Sequence, residues 1–333
     1  MSRSRRLVAG LLVVGAALLG TACTVPEDEP GAAPDTPALQ QKTIGVSFPK
    51  YSVQAGPTLE IEIAKQEAEK QGYTLLVDDP GQDQNKQIGV VETWIQQGVG
   101  TIVIQPNAPE VFEDIARRAR AKGIKWIVYA NKMDNQDATL GFDHIQGGAL
   151  IAKQAADFIN EELDGEAKVA ILTYQAGPWA RTRQQGIEDE LLKQAPGAKI
   201  VARQDALSVT DGAQVMGPIL QAHPDINVVL AIEEDAAEGA YQTAVDNGKP
   251  KNDPKMFFAG IDGTVGVFKY LKAGDTSYRA SAALDLAAVG RGFVELPKRL
   301  WAGQSGDYTV PFELVTSETP ELADKYLKLY GEG

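Results

Sequence analysis

The chain has 333 residues, of which 44% are hydrophobic and 23% charged, and a formal net charge of −13. That length supports two hydrophobic cores, and the acidic balance excludes a nucleic-acid partner, because phosphates are held by basic patches. A single cysteine, Cys23, and two histidines far apart in sequence, His144 and His223, exclude an internal disulfide framework and argue against a metal site.

The amino terminus opens with Arg3, Arg5 and Arg6, followed by an apolar stretch from Leu7 to Ala22 and then Cys23. The stretch is short for a bilayer-spanning helix and its basic front end fits a secretory signal. Leu19-Gly20-Thr21-Ala22-Cys23 resembles a bacterial lipoprotein processing site, although Gly20 stands where such signals usually carry a large aliphatic residue. The resemblance implies that residues 1–22 are a signal peptide and that Cys23 is the lipid-carrying first residue after cleavage. Cleavage would remove three positive charges and leave a net charge near −16. Residues 24–42 are rich in proline, alanine and acids without apolar periodicity, which predicts a flexible tether from Cys23 to the body.

From Lys42 onward, apolar runs alternate with amphipathic segments. The runs predict strands over 43–48, 73–77, 100–104, 125–130 and 139–142, then over 168–174, 199–203, 227–232, 256–261 and 278–284. Helices are expected over 58–71, 84–97, 109–121, 145–163, 179–194, 211–222, 235–247 and 286–302. Repeated strand–helix units imply parallel sheets with helices on both faces, and right-handed crossovers bring the strand carboxyl ends to one edge. Ten strands divide into two sets near residues 143–150, so the expected fold is α/β with two lobes of similar topology.

No phosphate-binding glycine loop, dinucleotide fingerprint or nucleophile elbow is present, so no cofactor is expected. Val289-Gly290-Arg291-Gly292-Phe293 lies inside a predicted helix and reads as helix packing. The most informative stretch is Phe257-Phe258-Ala259-Gly260-Ile261-Asp262-Gly263-Thr264, an inner strand ending in a carboxylate. Ligands bind beyond the carboxyl ends of such strands; on this stretch alone Asp262 reads equally as a ligand group or as the cap of the next helix.

Several segments, in order and at the right spacing, resemble the ribose-type periplasmic sugar-binding proteins of ABC importers. They are GTIVIQP at 100–106, GIKWIVYAN at 123–131, GFDHIQGG at 141–148, AGPWARTRQQG at 176–186, AHPDINVVLAIEED at 222–235 and AGIDGT at 259–264. The resemblance spans about residues 43–316 and implies two Rossmann-like lobes joined by a three-stranded hinge, with the ligand trapped between them. Crossings would fall near 143–145, 284–286 and 310–312. The first lobe would comprise 43–144 and 285–310, the second 145–284 and 311–333. By the same resemblance Asp262 accepts hydrogen bonds from ligand hydroxyls, Arg183 offers a planar fork to two oxygens, and Gln105 and Glu233 stand where the family often has Asn. Two departures count against ribose itself. Ala130-Asn131 replaces an Asp-Arg pair at the end of the fourth strand, and Gly56-Pro57 stands where an aromatic pair is common.

Phe48, Tyr51, Tyr129 and Trp179 are candidates for packing against ligand rings; Lys50 could reach a ligand oxygen, and Asn131 is counted with Gln105 among the ligand-binding candidates. His144 reads as a structural residue close to a site. Asp143, Glu233 and Asp262 in one cleft, against Arg183 and Lys50, would suit a sugar, a polyol, or an amino sugar whose cationic group balances the carboxylates. The expected function is that of a monomeric, non-enzymatic lipoprotein. It captures a sugar-like solute by hinge closure and passes it to an ABC permease, anchored outside the cytoplasm through Cys23. The competing readings are a ligand-presenting subunit of a membrane sensor, an extracytoplasmic hydrolase with Asp143 and Glu233 as paired carboxylates, and a repressor sharing the two-lobe core.

Overall fold

A computed structural model describes residues 39–332. The expected signal peptide, the expected lipidation site Cys23 and most of the expected tether lie outside the described residues. Its last residues do not: Gln40–Lys42 extend the first strand, with the Gln40 amide donating to Gly98 O at 2.7 Å. Pairing with the neighbouring strand outweighs the polar composition that made these residues read as tether.

The first lobe is built from β1 (Gln40–Ser47), α1 (Ala55–Gln71), β2 (Thr74–Asp78), α2 (Gln84–Gln97), β3 (Val99–Ile104), α3 (Pro109–Ala121), β4 (Lys125–Tyr129) and β5 (Ala138–Gly141). The second contains α4 (His144–Glu162), β6 (Ala167–Thr173), α5 (Pro178–Gln194), β7 (Ala198–Asp205), α6 (Val209–Ala222), β8 (Val228–Ala231), α7 (Glu234–Asp246), β9 (Phe257–Asp262), α8 (Val265–Ala273) and β10 (Tyr278–Leu284). The chain then returns to the first lobe with α9 (Leu286–Trp301) and β11 (Tyr308–Thr309), and crosses once more into β12 (Phe312–Thr316) and α10 (Pro320–Leu329).

Each lobe holds a six-stranded sheet, in the order β11-β5-β4-β3-β1-β2 and β12-β10-β9-β8-β6-β7. Every pairing in the first sheet is parallel, whereas β12 runs antiparallel to β10 in the second. Central strands such as β3 (VGTIVI) and β9 (FFAGID) are buried along their whole length, as a sheet covered by helices on both faces requires. Among the described residues, no helix is long and apolar enough to cross a membrane.

Four elements were not predicted from sequence. Helix α8 is short and rich in β-branched residues, but Thr264 caps it by accepting from the Val267 amide. Helix α10 is held from outside its own segment, with Tyr326 stacked on Phe268 at 4.9 Å between ring centroids. Strands β11 and β12 are edge strands, too short to show a period of their own.

The pairing of α4 with α5 positions the site. Gly148 on α4 faces the Arg183 carbonyl, and Gly186 on α5 faces the Ile145 carbonyl. A Cβ at either glycine would collide with backbone. Two glycines on facing helices therefore set the close approach that fixes the height of Arg183.

Candidate functional site

The carboxyl edges of both sheets face a common cleft. Its walls bring together Phe48, Lys50 and Gln105 from the first lobe with Trp179, Arg183, Glu233 and Asp262 from the second. The cavity left between the walls is about 30 Å³, far below the roughly 300–1,000 Å³ usual for small-molecule sites, so the walls stand drawn together. The lobes touch across it. The Ala55 amide at the start of α1 donates to Asp235 Oδ2 at 2.6 Å, and Gln82 Nε2 donates to the Tyr174 hydroxyl at 3.1 Å. The Lys50 ammonium lies 6.0 Å from the Tyr174 ring centroid.

Arg183 is the centre of the site, with 2% of its surface exposed. Its Nη1 and Nη2 donate to Asp262 Oδ2 and Oδ1, both at 2.7 Å, a bidentate fork. Nη1 also donates to Ile232 O at 2.7 Å, and Nε donates to His144 Nδ1 at 3.2 Å. The guanidinium carbon lies 5.2 Å from the Trp179 ring, 5.5 Å from Phe312 and 5.6 Å from Phe142, so aromatic faces supply the rest of its environment.

His144 is locked into one role. Its Nε2 donates to Ala130 O at 2.7 Å, which leaves Nδ1 as acceptor for Arg183. Burial, followed by the Arg183 charge, lowers its pKa to about 3, so the ring is neutral at physiological pH. Ala130 exposes that carbonyl by adopting φ +55°, a left-handed conformation unusual for a residue with a Cβ.

Asp262 ends β9 with φ +99°, and Gly263 follows at +80°. Thr264 caps α8, so the Asp262 carboxylate is left to Arg183. Glu234 supports the strained turn from behind: it accepts from the Gly263 amide at 2.8 Å and from the hydroxyls of Tyr278 and Ser281. Burial pushes the Glu234 carboxyl up to about 8. Glu233 lies 3.6 Å from Arg183 Nη1; burial first, and then the neighbouring Asp262 charge, hold its pKa well above the ordinary carboxylate range.

Three expected site residues are placed elsewhere. Asp143 is exposed and caps α4, accepting from the Gln146 amide at 3.0 Å. The Asn131 side chain is turned to the loop after β3, donating to Pro106 O at 2.8 Å. Tyr51 packs beside Phe48 with 6.2 Å between centroids, outside the cleft lining. The cleft gains residues that sequence reasoning passed over, chiefly Glu60, which accepts from the Tyr129 hydroxyl at 2.7 Å. A signal for it existed: Glu60 is an acid on the apolar stripe of α1, beside Pro57, Ile61 and Ala64.

Residues 44–305 match the family model described as periplasmic binding protein domain. A ribose import binding protein of Bacillus subtilis (strain 168) is 28% identical over 324 residues, covering 94% of this chain and 100% of the relative. A galactofuranose-binding protein of Escherichia coli (strain K12) is 30% identical over 293 residues, covering 84% and 88%. Among solved structures, a Mycobacterium smegmatis protein in complex with β-D-fucofuranose superposes with a TM-score of 0.77 at 25% identity, covering 89% of this chain and 97% of that one. A galactofuranose binding protein gives a TM-score of 0.76 at 26% identity, covering 86% and 98%. The two parallel-sheet α/β lobes and the match over 44–305 agree with the resemblance read from the sequence, and the chain belongs to the periplasmic binding protein domain family.

Proposed function

We propose that this protein captures a small sugar or polyol between its lobes and delivers it to an ABC importer. The observation that carries this reading is the Arg183–Asp262 fork at the floor of a cleft closed by both lobes. Each Asp262 oxygen already accepts one bond from Arg183 and retains lone-pair capacity for a ligand hydroxyl. Phe48 and Trp179 offer apolar faces to a sugar ring. The curated relatives' names, ribose import and galactofuranose binding, support the same ligand class. Closure follows from contacts that both lobes make to one solute, which stabilise the closed arrangement over the open one. No covalent step is needed.

Titration calorimetry of the purified protein against pentoses, hexoses and polyols tests the proposal. One or more should bind, and Asp262→Ala should weaken that binding at least about tenfold through loss of a charge-assisted contact. Unchanged affinity in both Asp262→Ala and Arg183→Ala would remove this cleft from consideration.

The proposal includes anchorage outside the cytoplasm through a lipid on Cys23, carried by the sequence around 19–23. Cells fed a labelled fatty acid should incorporate it into the wild-type protein in the membrane fraction. Cys23→Ser should be unlabelled; label retained in that variant would rule the anchor out.

A further inference from the structure

We propose, building on the reading of the cleft as a sugar or polyol site, that the captured solute carries a protonated amine and that Glu60 holds it. The buried face of α1 is otherwise small or apolar, formed by Gly56, Pro57, Ile61, Ala64 and Ala68. Glu60 interrupts it where the helix meets the cleft, with 2% of its surface exposed. Oε2 accepts from the Tyr129 hydroxyl, while Oε1 has no hydrogen-bond partner among the described residues.

The groups around this carboxyl come from three elements: Tyr129 at the end of β4, Arg183 on α5 and Asp262 at the end of β9. Arg183 lowers the Glu60 pKa through its charge but makes no hydrogen bond or ion pair with it among the described residues, its fork being turned to Asp262 and its Nε to His144. Lys50 also lines the cleft, but its ammonium sits over the Tyr174 ring and makes no ion pair with Glu60 among the described residues. Burial accordingly raises the Glu60 carboxyl to about 8.

A buried acid without a cation is costly to keep ionised. Hydroxyls alone would not call for one here, since the amides of Gln105 and Asn107 already line the same cleft. A ligand ammonium supplies the missing counter-charge and a donor for Oε1. Its charge draws Glu60 into the ionised form, so binding expels the carboxyl proton.

The test titrates the full chain with matched neutral and amino compounds: glucose and glucosamine, galactose and galactosamine, mannose and mannosamine. At about pH 6.5 an α-type amine is charged. Within a pair that binds, the amino member should bind at least about tenfold tighter. Titrations in buffers of different ionisation heat should show release of close to one proton. Glu60→Gln should narrow the preference for the amine by about tenfold. Because the proton count is read on the wild-type protein, it stands even if that variant folds poorly. Neutral compounds binding as tightly as their amino partners, or amine binding without proton release, would overturn the amine assignment and leave the solute-binding reading intact. Failure of both series to bind would count against the sugar or polyol reading itself.

Discussion

Replacing Arg183 by alanine tests the centre of the site most directly. The change deletes two bonds to Asp262, one to Ile232 O and one to His144 Nδ1, and it empties the space between Trp179, Phe142 and Phe312. All of the charged partners lost belong to the second lobe, so the penalty is present without ligand. Removing one member of a buried ion pair costs about 3–5 kcal/mol, because the other is left uncompensated. Glu233 beside Asp262 has its pKa raised by burial and by the Asp262 charge and so can share a proton with the orphaned carboxylate, which places the cost near the lower bound, about 3 kcal/mol. With an unfolding entropy of about 2 cal/mol/K per residue, a loss of about 3 kcal/mol should lower the melting temperature of a protein of this size by about 5 °C. Thermal melts of ligand-free protein by circular dichroism measure this. The double variant Arg183→Met with Asp262→Asn removes both charges and fills part of the space, so it should recover more than half of the loss. Arg183→Ala melting within about 1 °C of the parent, or a double variant no more stable than the single, would refute the claim that the ion pair is buried and mutually dependent.

Two further outcomes follow from the geometry. Asp235 reaches across the cleft to the first-turn amide of α1, so Asp235→Ala removes a cap that exists only when the lobes are closed. A loss of about 1 kcal/mol corresponds to about fivefold weaker ligand binding, read by calorimetry with whichever pentose, hexose or polyol the parent binds; unchanged affinity would mean that the contact does not favour closure. Stability should also depend on pH through Glu234 and Glu60, both raised by burial from 4.5 to about 8. Between those values the folded state keeps protons that the unfolded chain has released. Stability is therefore highest at the acid end of the window, falls as pH rises from about 5 to 8, and levels off above. Melting temperatures across that range should decline, and Glu234→Gln should flatten the curve. A rise over the same range would contradict the burial of these carboxyls.

Much of the fold was legible because its strands are buried on both faces. Runs such as GTIVIQP and FFAGID need no partner to be recognised as inner strands, and the spacing between them admits only helical crossovers. Elements whose stability lies outside their own segment were not legible: α10 rests on Tyr326 stacking against Phe268, and β12 on pairing with β10. At the site, Asp262 was readable because it ends a strand and Arg183 only through the family resemblance, which gave both to the ligand; the structure joins them to each other. Asp143 and Asn131 occupy similar ends, yet one caps α4 and the other ties down a loop.

The sequence by itself determined the two-lobe α/β class and the edge on which the cleft lies. Those follow from local period and chain order, which are written along one dimension. Only the tertiary structure decided which carboxyls share the cleft. Asp143 leaves it for a helix cap and Glu60 enters it from a helix face, because a side chain's partner depends on what the opposite lobe and the neighbouring helices bring within about 3 Å.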